Sequence, residues 1–411
     1  MSTNKFSTHW RIFCSAPHRV MFFGGALQTI AAMLWWLLEL SSRHGLTALA
    51  LEWSISPRAV HGYLMIYGIF PFFIFGFLMT TFPRWMRGKE IRKEYYLSSF
   101  LMLLLGGLVF FFGLLTNTKF LFVALIFMLI GWGIALLALL NVLFDSAPCD
   151  KQHARILLIG LFAGWIGLVS YMVWILNDNP AWLHFAIQGG IWFFLLPIFA
   201  TVSHRMIPFF TSSALPHLQI SNPRWPWRMM LLSSLGHGLL QVADVPALFW
   251  LSDLPLSLTA LYLAYAWGSL HTMHNPMLGI LHIGIFWLGV AMMMFCAQSL
   301  GIFLAPNTII WNHAPLHALT IGCFVTLLIG MATRVTLGHS GRQIKADLPI
   351  ILIFIGMQLV TVLRVLADIV STPIMRWLYL SAAAIWLASF LSWVWRFIPV
   401  FWQKRADGKP G

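Results

Sequence analysis

Apolar residues gather along this chain in long blocks, separated by short polar or basic segments. The blocks cover 20–40, 59–82, 96–115, 120–143, 156–176, 184–203, 229–244, 251–270, 277–304, 314–334, 348–368 and 377–398. A helix needs about 20 residues to cross the hydrocarbon core of a bilayer, so the pattern predicts about twelve transmembrane helices. The seventh and eighth are the least regular, because Asp244, Pro246, Asp253 and Pro255 interrupt them. Nothing between the blocks reads as a soluble domain, a linker or a low-complexity tract. The expected architecture is all-α: a polytopic integral membrane protein with one bundle, a single transmembrane domain over 1–411 and short cytoplasmic tails at about 1–19 and 400–411.

Composition agrees with that pattern. Hydrophobic residues make up 60% of the chain and charged residues 9%, against about 25% charged in an ordinary soluble domain. Charge placement then sets the orientation, since short cytoplasmic loops collect Lys and Arg. With both termini cytoplasmic, 20 of the 25 basic residues fall on the inner side, and only Arg43, Arg58, Lys119, Arg364 and Arg376 do not. The net charge of +13 is thereby explained by a basic rim facing anionic membrane lipid, without a nucleic-acid partner. The first apolar block follows about 19 polar or basic residues and is long enough to span, so it reads as an uncleaved first helix rather than a signal peptide. Cys14, Cys149, Cys296 and Cys323 are scattered without a CxxC pair, which argues against a disulfide framework or an iron-sulfur cluster.

The chemistry lies in the histidines. Asp and Glu together number only twelve and most fall in or near loops, so a carboxylate proton relay through the membrane is poorly supported. On the twelve-helix layout His61, His184, His313 and His317 sit towards the outer face, and His18, His204, His271, His274, His282 and His339 towards the inner one. His313 and His317 share a helix face, and His61 lies at a similar depth, so an opposed pair of axial ligands for haem iron can be drawn from this group. The competing reading is a set of wet interfacial imidazoles. His282 lies within an apolar run and needs a partner: either a backbone or serine hydrogen bond, or a two- or three-histidine copper site with His204 and His339. If helical, the 22 residues separating His317 from His339 span roughly 33 Å, so one metal cannot bind both.

Other residues carry weaker signals. Arg205, Arg334 and Arg342 are candidates to clamp haem propionates, and equally serve as positive-inside anchors. Met292, Met293, Met294 and Cys296 are soft donors, but consecutive residues face different ways, which favours core packing. His237, flanked by Gly236 and Gly238, reads as a packing residue. Arg364 and Asp368, four apart, are expected to form an ion pair.

Four segments carry a resemblance: VHGYLMIYGIFPFFIFGFLMTTFPRW from residue 60, SHRMIPFFTSSAL from 203, NPMLGILHIGIFWLG from 275 and LHALTIGCFVTLLIGMATRVTLGHSGR from 316. In this order they resemble the NnrS family, over nearly the whole chain. The resemblance implies a twelve-helix protein of the bacterial cytoplasmic membrane that contains haem, of b type, and copper, and that is linked to nitric oxide metabolism and nitrosative stress. His282, His317, Arg334, His339, Gly341 and Arg342 match the family's motifs, as do Arg205, Pro208, Phe209 and Thr211. His61 matches the first histidine of an H-x-H-E-M motif, whereas Tyr63 and Leu64 replace the second histidine and the glutamate. His204 stands where a glycine is expected.

The function this implies is binding of nitric oxide, a small neutral molecule that reaches a bilayer-buried metal unaided, and its detoxification. Reduction to N2O with quinol electrons is the further step, which would make the protein an oxidoreductase. A twelve-helix transporter for copper, haem or another small molecule is the alternative. The absence of internal repeats, and polar groups gathered near the two faces rather than the midplane, favour binding or redox chemistry.

Overall fold

The computed structural model describes residues 2–47, 52–147, 149–305, 311–370 and 373–408; Lys409 and the rest of the expected tail beyond 408 lie outside them. The regular structure among the described residues is helical. In chain order it comprises α1 (Ser2–Phe13), α2 (Pro17–Arg43), α3 (Pro57–Trp85), α4 (Lys93–Leu115), α5 (Thr118–Asp145), α6 (Gln152–Asn177), α7 (Pro180–Ala214), α8 (Arg224–Val242), α9 (Trp250–Ala266), α10 (Pro276–Leu304), α11 (Ala314–His339), α12 (Leu348–Ile369) and α13 (Ile374–Phe401). Ten of these, all but α1, α8 and α9, are long and apolar enough to cross a membrane, so the chain is a multi-pass membrane protein. The seventh and eighth predicted spans are α8 and α9, with 19 and 17 residues.

Local sequence sets where the helices begin. Ser56, Asn179 and Asn275 each precede a proline, and each accepts a hydrogen bond from a backbone N–H of the first turn. A polar cap satisfies an orphan donor while the proline fixes φ where its missing N–H costs nothing. Asp347 caps α12 in the same way, accepting from the Ile350 N–H. Three helices widen to i→i+5 turns, at Leu64–Ile69, Gly190–Leu195 and Ala318–Val325. The first two run up to Pro71 and Pro197, and a widened turn relieves the clash between a proline ring and the carbonyl four residues earlier.

The chain divides into two compact units. The first comprises Met1–Gly190, Ala332–Ile344 and Phe390–Gly411; the second comprises Ile191–Met331 and Lys345–Ser389. The chain passes from one to the other within α7, α11 and α13 and in the segment between α11 and α12.

In the first unit α2 and α3 pack through glycine. A Cβ at Gly76 would lie 2.8 Å from the Met21 and Phe22 side chains, and one at Gly25 would lie 2.6 Å from Phe73. Small residues let the two backbones approach where no hydrophobic effect drives helices together in lipid. Within the expected tails, described residues at both ends pack onto the rest of the first unit. Residues 2–13 form a helix and Pro17 already belongs to α2. Trp402 stacks on Phe13 with ring centres 4.1 Å apart, and the Ala406 N–H bonds the Ser340 carbonyl at 2.8 Å. Gly341 has φ +70°, and a Cβ there would strike Asp407 at 2.6 Å, so the turn after α11 requires glycine.

In the second unit polar side chains stitch helices together. Ser234 of α8 donates to the Trp192 carbonyl of α7 at 2.6 Å, and Ser257 of α9 to the Gly289 carbonyl of α10 at 2.8 Å. Trp287 of α10 donates to Gln358 of α12 at 2.9 Å, and Gln358 in turn donates to Thr326 of α11 at 3.0 Å. Each bond serves groups that lipid cannot hydrate.

A steric test separates close contact from mere helicity. Gly76→Leu is expected to cost at least about 1–3 kcal/mol through overpacking, lowering the melting temperature of detergent-purified protein. Gly133→Leu on α5 meets nothing within 4 Å and should leave that temperature unchanged.

Candidate functional site

His339 closes α11, and the first unit brings it to His18 at the start of α2. Their ring centres lie 4.9 Å apart, tilted by 47°. Thr80 donates to the Gly76 carbonyl at 2.7 Å and so has lone pairs for the His18 backbone N–H at 3.1 Å and His18 Nδ1 at 3.4 Å. That sets the tautomer with the His18 lone pair on Nε2. A metal about 2.0–2.1 Å from each ring nitrogen sits about 3.1 Å from each ring centre, so imidazoles on opposite sides of one iron stand roughly 6 Å apart. The observed 4.9 Å is too short for that.

The surroundings are basic. Arg19, Arg84 and Arg405 are near enough to act electrostatically on His339. Arg19 is 3% exposed and its Nη1 donates to the carbonyls of Phe401 and Gln403 at 2.8 and 2.9 Å. Arg342 donates through Nη2 to Gln403 Oε1 at 2.7 Å, while its Nη1 is buried without a hydrogen-bond partner. A buried guanidinium N–H of this kind fits a carboxylate or other oxyanion. Arg334, also in this unit, is buried at 8% exposure.

The second unit holds His204 and His282, and each has a protein partner. His282 is 1% exposed; Ser269 Oγ stands 3.0 Å from its Nδ1 and Thr211 Oγ1 stands 3.1 Å from its Nε2. Ser269 and Thr211 also reach the carbonyls of Ala264 and Ile207 at 2.5 and 2.9 Å. A neutral imidazole has one donor and one acceptor nitrogen, so one of these hydroxyls accepts from His282 while the other serves the acceptor nitrogen only by donating to it in place of its carbonyl. Hydroxyl satisfaction is thus what meets His282 here, joining two of the motifs singled out in sequence. His204 Nε2 donates to the Pro223 carbonyl at 3.0 Å, with Trp227 stacked alongside. Arg205, next along α7, is half-buried.

His317 near the start of α11 has a different setting. Its Nδ1 donates to the His313 carbonyl at 2.9 Å, with Asp368 Oδ2 at 3.6 Å. Asp368 is held by Arg364 at 2.8 Å, the expected i, i+4 ion pair, and by the Tyr379 hydroxyl at 2.7 Å. Anchoring Nδ1–H to a carbonyl beside a carboxylate is how ligating histidines are oriented, with the lone pair on Nε2. His61, in the first unit, stacks on Trp36 at 4.1 Å. Tyr63, standing in the place of a motif histidine, is fully buried and stacks on Phe110 at 4.1 Å.

One pair escaped sequence reasoning. His237 of α8 and Asp253 of α9 are both fully buried, and His237 Nδ1 bonds Asp253 Oδ1 at 2.5 Å. The fifteen residues between them cross a helix-helix turn, so spacing alone does not join them. The available signal was Asp253 itself, a carboxylate inside an apolar block, whose partner has to be sought on a neighbouring helix.

Among the described residues no three His, Cys, Asp or Glu side chains converge on one point where they could hold a metal ion. The arrangements present therefore suit an ion with two protein ligands, or haem, whose iron takes four ligands from its own macrocycle. The residues fit such groups at His18 with His339, at His317, and at Arg342 for an anionic substituent. All four cysteines are free.

Compared with protein-family models, residues 12–405 match the model described as NnrS protein. No curated protein matches the chain.

Ser269→Ala removes one partner of His282 and leaves a buried polar nitrogen unsatisfied, an expected loss of about 1–3 kcal/mol. Chemical denaturation in detergent checks this, and His282→Leu should be the milder change if the histidine serves only the fold.

Proposed function

This chain belongs to the NnrS family, and on that premise we propose that it is a haem- and copper-containing protein of the bacterial cytoplasmic membrane that binds nitric oxide and removes it from the cell. Membership supports a role in nitric oxide-related metabolism, and the family is associated with haem and copper. Twelve spans with both termini cytoplasmic, α8 and α9 included, complete the proposed topology.

The observation that carries the reading is the imidazole pair of buried His18 and half-buried His339 in a basic setting. These two residues hold the copper, with His18 presenting Nε2. His317 is the haem-iron ligand, its ring oriented by the His313 carbonyl and Asp368. Ferrous haem and Cu(I) supply the affinity for nitric oxide. The protein's part is to orient the imidazoles, exclude water and offset the anionic charge. Nitric oxide needs no channel, because a small neutral molecule partitions into the bilayer.

Reduction of two molecules of nitric oxide to one N2O and one water consumes two electrons and two protons; a membrane quinol is the proposed donor. Whether the protein stops at binding is read by measuring N2O in the headspace when reduced protein meets nitric oxide.

Two measurements test the reading. The reduced-minus-oxidised visible spectrum of purified full-length protein should contain a haem Soret band that shifts on adding nitric oxide; a spectrum without one overturns the haem assignment. His317→Ala should lose or shift that band while keeping copper, and His18→Ala or His339→Ala should lose copper while keeping the band. Full retention of both cofactors in all three variants overturns the site assignments.

A further inference from the structure

Four arginines gather where helices of the first unit begin and end. Arg19 lies in the first turn of α2, Arg84 in the last turn of α3, Arg342 just after α11 and Arg405 in the segment after α13. Arg19 and Arg342 meet at one residue: Arg19 Nη1 donates to the Gln403 carbonyl at 2.9 Å, and Arg342 Nη2 donates to Gln403 Oε1 at 2.7 Å. Arg405 stands two residues further on, where the bond from the Ala406 N–H to the Ser340 carbonyl folds the segment back against the turn that carries Arg342. Arg84 comes to the group through α3. It lies one turn beyond Thr80, whose hydroxyl accepts from the backbone N–H of His18, the neighbour of Arg19. Arg405 and Arg342 act electrostatically on Arg19, and Arg84 acts on both His18 and His339.

Their charge is not balanced by the protein. Among the described residues only Arg405 of the four pairs with a carboxylate, that of Asp407 at 2.7 Å. Helix dipoles offset part of the rest. The C-terminal ends of α3, α11 and α13 are each equivalent to about half a negative charge, and Arg19 Nη1 bonds the Phe401 carbonyl that closes α13 at 2.8 Å. The start of α2 works the other way, adding about half a positive charge beside Arg19. With Asp407 included, about two positive charges remain. Arg19 is 3% exposed, so water screens it little, and Arg342 Nη1 is buried without a hydrogen-bond partner. A buried guanidinium N–H with no acceptor is costly, and a diffuse counter-ion in solution does not satisfy it.

A bound anion meets both needs, and the setting favours one class. Several guanidinium groups can share the oxygens of a phosphate, whereas a carboxylate has only two to offer. The level of the site points the same way: α2, α3, α11 and α13 are all long and apolar enough to cross a membrane, and their shared ends mark the edge of the hydrocarbon layer, where phospholipid phosphates lie. We propose that Arg19, Arg84 and Arg342, with Arg405 adding charge, form a binding site for a phosphate group, and that Arg342 Nη1 donates to one of its oxygens. The phosphate is that of an anionic phospholipid headgroup or a free phosphate ion. Neither haem nor copper enters the argument, and screening by bulk salt is the competing explanation.

The test follows the melting temperature of purified full-length protein in phosphatidylcholine nanodiscs. In one series inorganic phosphate replaces chloride at constant ionic strength; in the other phosphatidylglycerol replaces part of the phosphatidylcholine. A saturable rise with phosphate assigns the site to the free ion, and a rise with phosphatidylglycerol only assigns it to the lipid headgroup; either result supports the site. Arg342→Gln should raise the half-saturating amount about 10-fold or more, and Arg84→Gln should raise it by less, since Arg84 is exposed. Arg155→Gln removes an exposed charge on α6 and should leave it unchanged. Phosphate no better than chloride, with phosphatidylglycerol no better than phosphatidylcholine, overturns the proposal and assigns the cluster to salt screening. Wild-type half-saturation in both Arg342→Gln and Arg84→Gln overturns it too, as does an equal loss in Arg155→Gln. A protein that keeps the response but has no haem band leaves this inference standing and overturns the function proposed above. A haem band responsive to nitric oxide, with no response to either phosphate source, does the reverse.

Discussion

An imidazole placed where water cannot reach has two ring nitrogens to satisfy, and that constraint organises this protein more than any other single interaction. A group left unsatisfied in hydrocarbon costs several kcal/mol, so each buried histidine reports on its purpose through its partners. His282 is met on both sides by hydroxyls, and His204 has a backbone carbonyl and a stacked indole. These two are accounted for by the protein. His18 and His339 stand ring to ring, and His237 bonds Asp253 and keeps Nε2 buried without a hydrogen-bond partner. His317 is oriented in the manner of a ligand.

Much of the fold was legible in the chain. Twelve apolar blocks correspond to α2 through α13, and the capping residues that start these helices, such as Asn179 before Pro180 and Asn275 before Pro276, stand in the sequence. Helix ends were harder. The block 184–203 continues to Ala214 through Pro208, because the proline's missing bond is tolerated inside a packed layer. The widened turns ahead of Pro71 and Pro197 leave no trace in hydropathy, since they alter the backbone and not the composition. The ends of the chain read as polar tails, yet Trp402 and Ala406 pack back onto Phe13 and Ser340 through contacts that no local pattern encodes.

The candidate site was legible as residues and not as pairs. His339 was recognisable as a ligand type, but its neighbour His18 lies 321 positions away in sequence and comes to it only when α2 meets the end of α11. The expectation that carboxylates lie mostly in or near loops held for most of them; of the exceptions, Glu39 pairs with Arg43, while Asp253 and Asp368 each sit beside a histidine. Depth along a helix can be counted from sequence. Which helix stands opposite cannot be, and an imidazole's role depends on that neighbour.

Iron and copper content, combined with X-ray absorption at both metal edges on the purified full-length protein, measures most directly whether these imidazoles are ligands. Both metals are predicted to be present near stoichiometry, with imidazole scattering at about 2.0–2.1 Å around the copper and at the iron, and with the copper signal weakened in His18→Ala. Protein that is well folded and carries neither metal, or metals without imidazole scattering, would contradict the account.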